Sequence, residues 1–143
     1  MQKRIFFHLA IPINDINLAK KFYSQGLGCD IGRETAYAII FNFYENQLVA
    51  HVTKEKLTRQ KGIYPRHFGL VFENKSDFNN LLTQAKNQQL SFYQEPRLRF
   101  PGKEIEHWTF FLEDPFYNFL EFKFYCHQEA IFKPIENAVI GDR

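Results

Sequence analysis

Apolar and polar positions along this chain follow two periods, and the order in which the periods appear repeats. Ile5 to Pro12 is a β-branched and aromatic run broken only by His8, which predicts a buried strand. Asn14 or Asp15 then offers an N-cap, and Ile16, Ala19, Phe22 and Tyr23 recur at helical spacing until Gly26 and Gly28 end the helix. Three short strands follow over about 29–33, 36–43 and 47–53, with turns at Glu34-Thr35 and Glu45-Asn46. After a polar, basic connector from Lys54 to Lys61 the order begins again. A strand over 66–72 leads to a helix capped by Ser76 or Asp77 and carrying Phe78, Leu81, Leu82 and Ala85. Strands over 90–94, 107–112 and 119–125 complete the series, and Pro96 and Pro101-Gly102 mark the loop before the second of them. Both halves read strand–helix–strand–strand–strand, the pattern of an internal duplication. The expected organisation is one domain over 1–143, with module one over about 4–53, module two over about 65–125 and a C-terminal arm over 126–143.

A histidine stands at the same place in each module. His8-Leu-Ala-Ile precedes the first helix and His67-Phe-Gly-Leu the second. Strand alternation puts His8 on one face with Phe6 and Ala10, and His67 with Gly69 and Val71. Glu121 shares a face with Phe119, Lys123 and Tyr125, while Leu120, Phe122 and Phe124 oppose it. His51 goes with Val49 and Thr53. Each of these polar groups sits in an otherwise apolar strand, where a lone imidazole or carboxylate is costly. A divalent metal serves them together: neutral imidazoles and a carboxylate suit a first-row ion at ~2.0–2.2 Å and leave positions open for substrate. The candidate ligands are therefore His8, His67, Glu121 and His51, and the candidate acid–base residues are His51 and His107, since histidine titrates near neutral pH.

Composition narrows the classes. The net charge of +2 comes from basic residues scattered among acidic ones, which lacks the dense basic stripe of nucleic-acid binding. No stretch is long enough to cross a bilayer. The N-terminal Met1-Gln-Lys-Arg with its apolar run resembles a signal peptide only superficially, because the run is short and carries His8. Cys29 and Cys126 lack metal-type spacing and read as reduced, buried thiols, which makes the cytoplasm the expected location. The 17 Phe predict a phenylalanine-rich core or a cavity lined with rings.

Residues 4 to 125 resemble the vicinal oxygen chelate superfamily, which includes glyoxalase I, the bleomycin and fosfomycin resistance proteins and extradiol dioxygenases. The matching segments are His8-Leu-Ala-Ile-Pro-Ile-Asn-Asp with Ala19-Lys-Lys-Phe-Tyr-Ser-Gln-Gly-Leu-Gly28, then Arg66-His-Phe-Gly-Leu-Val, then Phe111-Leu-Glu-Asp-Pro115 with Asn118-Phe-Leu-Glu121. The resemblance implies an α+β fold of paired βαβββ modules, curling as a half-barrel mixed sheet around a divalent metal. It places the first-strand ligand on His8, the fifth-strand ligand on His67 and the last-strand carboxylate on Glu121. The fourth family position, often Glu or Gln or not a ligand, falls on His51. Phe116-Tyr117 stands where Asp-Gly commonly follows the Asp-Pro turn.

The resemblance implies a small substrate bound through two adjacent oxygens. The leading expectation is an iron(II) dioxygenase-like enzyme on a catechol-type substrate, because His8, His67 and Glu121 match a facial triad. The alternatives are a glyoxalase- or epimerase-type isomerase or lyase with a four-ligand nickel, zinc, cobalt or manganese site, and a drug-sequestering binding protein without catalysis. Among other polar residues, Arg66, Arg97, Arg99 and Lys123 are candidates to meet an anionic substrate, and Tyr117 and Tyr125 to donate hydrogen bonds. No nucleic-acid or membrane partner is expected, and a homodimer is, with the site formed within one chain or across two.

Overall fold

The computed structural model describes residues 3–143, so the part of the N-terminal reading that concerns Met1 and Gln2 lies outside the described residues. Eight strands form two four-stranded mixed sheets. The first contains β1 (His8–Ile13), β2 (Asp30–Glu34), β3 (Ala38–Phe43) and β4 (Asn46–Val52), in the order β1-β4-β3-β2. The second contains β5 (Phe68–Phe72), β6 (Phe92–Arg99), β7 (His107–Glu113) and β8 (Phe119–Tyr125), in the order β5-β8-β7-β6. In each sheet the first and last strands pair in parallel and the rest antiparallel, so the duplication holds at the level of topology. Neither sheet closes. The fold is the α+β pair of βαβββ modules, and among the described residues no helix is long and apolar enough to cross a membrane.

The first helix starts where Asp15 accepts a hydrogen bond from the Leu18 amide at 3.0 Å. It runs as α1 (Ile16–Ala19), continues as a π-helical stretch (Lys20–Gly26), and stops at Gly28, whose φ of +78° only glycine adopts without strain. The second helix, α2 (Lys75–Asn87), is capped by Asn74 rather than by Ser76 or Asp77: the Asn74 side chain accepts from the Asp77 amide at 2.9 Å. β6 is longer than its sequence pattern indicates and contains Pro96. The proline is accommodated because β6 is an edge strand and its register with β7 slips between Gln94 and Arg97.

One buried cluster joins the modules. Ile11, Ile13, Tyr23, Phe41 and Leu48 of module one pack in it with Phe78, Phe110, Leu120 and Phe122 of module two. The phenylalanine content thus goes first into this core. A buried carboxylate links the modules as well: Asp114, in the β7–β8 turn, accepts from the Tyr23 hydroxyl at 2.6 Å. It also accepts from the Asn118 side chain and from the Phe116 and Asn118 amides at 2.8–2.9 Å. Burial pushes the Asp114 carboxyl above the usual range, and these four donors pull against it. In the same turn Tyr117 takes a φ of +67°, the conformation for which glycine is the usual choice, while Phe116 is buried.

The main core takes one face of each module's key strands, and on β8 the opposite face is buried only at Phe119, against Phe111 and Ile63. On β1, Ile11 and Ile13 are buried while His8, Ala10 and Pro12 are exposed. On β8, Leu120 and Phe122 are fully buried while Glu121, Lys123 and Tyr125 are only partly covered. The cysteines divide: Cys29 is buried with its thiol pushed up to about 12 by burial and by Asp30, whereas Cys126 is exposed, contrary to its expected burial.

Candidate metal centre

His67, immediately before β5, and Glu121, on β8, meet on the free face of the second sheet. His67 Nε2 lies 3.1 Å from Glu121 Oε1. Parallel pairing sets Gly69 directly against Glu121, and the absence of a side chain on Gly69 lets the two backbones approach: a Cβ there would overlap the Glu121 carbonyl. Both groups are held from behind. His67 Nδ1 donates to the Ile63 carbonyl at 2.7 Å, and Glu121 Oε2 accepts from the Thr109 hydroxyl at 2.6 Å. The arrangement fixes the imidazole tautomer and leaves Nε2 and Oε1 as the working atoms.

The charges are arranged around this pair. The hydrogen bond to Glu121 raises the His67 pKa against the effect of burial. Burial alone would raise Glu121, but the His67 hydrogen bond, the Lys123 ammonium and the Thr109 hydroxyl outweigh it and hold the carboxyl below its usual range. Lys123 Nζ stands 3.8 Å from Glu121 Oε1 and 3.2 Å from the Tyr125 hydroxyl. A divalent ion held between Nε2 and Oε1 would need both atoms deprotonated, so its binding would compete with protonation of His67.

His8 is prepared in the same way on the other sheet. Its Nδ1 is 2.8 Å from the Gln47 side-chain oxygen, so donation there leaves Nε2 free on an exposed face. The registers explain why module one brings one donor where module two brings two. Gly69, two residues after His67, pairs with Glu121, whereas Ala10, two residues after His8, pairs with Val49. His51 pairs with Pro12 and Ala38, four residues along β4 from the Gln47 that faces His8, or roughly 13 Å. Within one chain, then, His67 and Glu121 come together, and His8 and His51 lie apart from them and from each other. Among the described residues no three histidine, cysteine, aspartate or glutamate side chains gather closely enough to hold a metal ion. The residues present fit a divalent ion as an incomplete set.

His67 and Glu121 line a cavity of about 790 Å³ together with His107, Lys123, Tyr125 and Arg99. His107 is buried, its Nδ1 donating to the Ile105 carbonyl at 2.8 Å, and burial lowers its pKa below the usual histidine value. It is therefore a neutral imidazole at physiological pH with Nε2 free to accept a proton. The rings of Phe100, Phe111 and Tyr64 also border this space. Sequence reasoning passed over Thr109, Tyr64 and Gln47. Alternation along β7 was the available signal for Thr109, which shares its face with His107 and Phe111; Tyr64 and Gln47 carried none.

The sequence matches the model of the Glyoxalase/Bleomycin resistance protein/Dioxygenase superfamily over residues 5–122. No curated protein matches it. Among solved structures, a glyoxalase/bleomycin resistance protein/dioxygenase from Alicyclobacillus acidocaldarius is 41% identical, with a TM-score of 0.86, covering 92% of this chain and 100% of that one. The fosfomycin resistance protein FosX from Listeria monocytogenes superposes with a TM-score of 0.68 at 12% identity, over 90% of this chain and 99% of that one. A lactoylglutathione lyase from Agrobacterium tumefaciens gives 0.64 at 16% identity, over 87% and 96%. The last two likenesses are of fold alone.

Proposed function

Because the chain belongs to the glyoxalase/bleomycin resistance protein/dioxygenase superfamily, we propose that it is a metal-dependent enzyme acting on a small substrate bound through two oxygens, with His67 and Glu121 of one copy and His8 of a second copy as the ligands. The observation that carries this reading is the 3.1 Å approach of His67 to Glu121 on a cavity wall, each held from behind by its other atom. The outward Nε2 of His8, on a face that the chain leaves exposed, supplies the missing third donor once two copies associate. A homodimer is accordingly part of the proposal.

A bound divalent ion would polarise the substrate's adjacent oxygens and stabilise the negative charge that develops on them. The chain's own residues do the remainder. Neutral His107 accepts a proton from the substrate at Nε2, with Nδ1 anchored on Ile105. Lys123 favours an anionic substrate, and the Tyr125 hydroxyl is placed to hydrogen-bond an oxygen. Phe100 and Phe111 add apolar surface to the cavity wall, which suits a substrate with an aromatic part.

Two imidazoles and one carboxylate make the facial set used by non-haem iron(II), which supports a dioxygenase-like reaction on a catechol-type substrate. The four-ligand isomerase or lyase reading has less support, since the register sets His51 away from His8 and puts Val49 in the place that Glu121 occupies in module two. Protein loaded anaerobically with iron(II) and mixed with a panel of catechols is expected to take up oxygen, and His107→Ala is expected to lower turnover by about 10²–10⁴-fold while retaining iron. Catechol binding that survives complete metal removal, with no oxygen uptake, would instead favour a binding protein.

A further inference from the structure

The C-terminal arm returns to the cavity. Beyond β8 the chain makes a 3-10 turn (Gln128–Ile131) and then runs without strand or helix to its end, yet Ile131, Ile135, Ala138 and Val139 line the same cavity as His67 and Glu121. A segment of this kind has little local structure to offset its ordering entropy, so its position depends on anchors. Those anchors are concentrated at its last residues. The Tyr64 hydroxyl accepts from the Asp142 amide at 2.9 Å and donates to the Asp142 carboxylate at 3.3 Å. Arg99 pairs with the Asp142 carboxylate and donates to the Gly141 carbonyl at 3.3 Å. The Arg143 guanidinium lies 4.7 Å over the Tyr64 ring.

Gly141 permits the contact. Its φ is +61°, and a Cβ on it would overlap the Tyr64 hydroxyl. Tyr64 and Arg99 are themselves cavity residues, so the anchors sit on the wall that the arm completes. The side chain of Arg99 is only 15% exposed, which shields its pairing with Asp142 from solvent more than an open surface pair would be. With the arm in place the His67 side chain keeps 24% exposure and Glu121 11%, so the cavity is walled but not sealed.

We propose that residues 128–143 form a latched wall of the substrate cavity, and that the Tyr64–Arg99–Gly141–Asp142 latch controls entry to it. The proposal rests on the reading of this cavity as the active site, but its test does not depend on a metal or on turnover. Diethyl pyrocarbonate acylation of His107, followed peptide by peptide by mass spectrometry, reports access to the cavity in the protein as purified. Gly141→Ala, Asp142→Ala and a chain ending at His127 are each expected to acylate His107 on the order of tenfold faster than the wild type. His51, which lies outside the cavity and the proposed ligand set, keeps its rate. If the shortened chain proves unfolded by circular dichroism, the two point variants decide. An unchanged His107 rate in both, or a parallel rise at all histidines, overturns the latch. Metal content, measured separately, tells a failure of the latch from a failure of the metal reading.

Discussion

Gly69→Ala is expected to part β5 from β8 and to destabilise the protein by on the order of 3 kcal/mol, with loss of metal binding. The added Cβ would fall on the backbone carbonyl of Glu121, so no rotamer change relieves the overlap and one strand must move. Moving β8 at Glu121 carries the carboxylate away from His67, which is fixed to Ile63 through Nδ1. Stability and ligand geometry therefore fail together. Gly32→Ala is the control, because its Cβ would meet Ile40 no closer than 3.4 Å, and it is expected to change stability by less than about 1 kcal/mol. Denaturant titration and metal content of both variants check the pair. A Gly69→Ala protein with wild-type stability and full metal content would show that the close approach of the two backbones does not govern the site.

Asp114→Ala carries the second large effect. The carboxylate gathers the Tyr23 hydroxyl from module one, the Asn118 amide group, and two turn amides. Its removal leaves a buried tyrosine hydroxyl and the amides of the β7–β8 turn without their acceptor, at a cost of about 3–5 kcal/mol. Tyr117, held at positive φ in that turn, loses the framework that maintains it. Asp114→Asn keeps an acceptor oxygen and is expected to cost about half as much. Equal midpoints for the alanine variant and the wild type in thermal unfolding would contradict the assigned role.

The parts of the fold legible in the sequence were those set by local chemistry. Alternation indicated β8 at its observed ends, Asn14 and Asp15 were the two cap candidates of which Asp15 is the cap, and Gly26 and Gly28 marked the helix end, because each feature depends on residues a few positions apart. The second helix was capped by a neighbour of the expected residues: Asn74, Ser76 and Asp77 are all competent caps, and only the backbone path selects among them. Pro96 concealed the length of β6, since a proline is compatible with a strand only at an edge or a bulge, and both conditions are tertiary. The site divided in the same manner. Strand alternation was enough to put Glu121 and His67 on faces that can meet. The separation of His51 from His8 follows from the β1–β4 register, which the sequence does not display. Nor did the sequence contain a signal that the arm would return to Tyr64, because the contact joins that tyrosine to Gly141 and Asp142, far away along the chain.

The central claim, that two copies share each metal centre, is tested most directly by mixing two variants that each lack one ligand. His8→Ala and His67→Ala are each expected to lose metal when prepared alone. In a mixed dimer both losses fall on one centre, and the other retains His8 from one copy with His67 and Glu121 from its partner. After subunit exchange of equal amounts, about one quarter of the wild-type metal content should return, as random pairing of C2 dimers requires. Metal content that stays at zero after exchange, with mixed dimers demonstrated by mass, would contradict the shared centre.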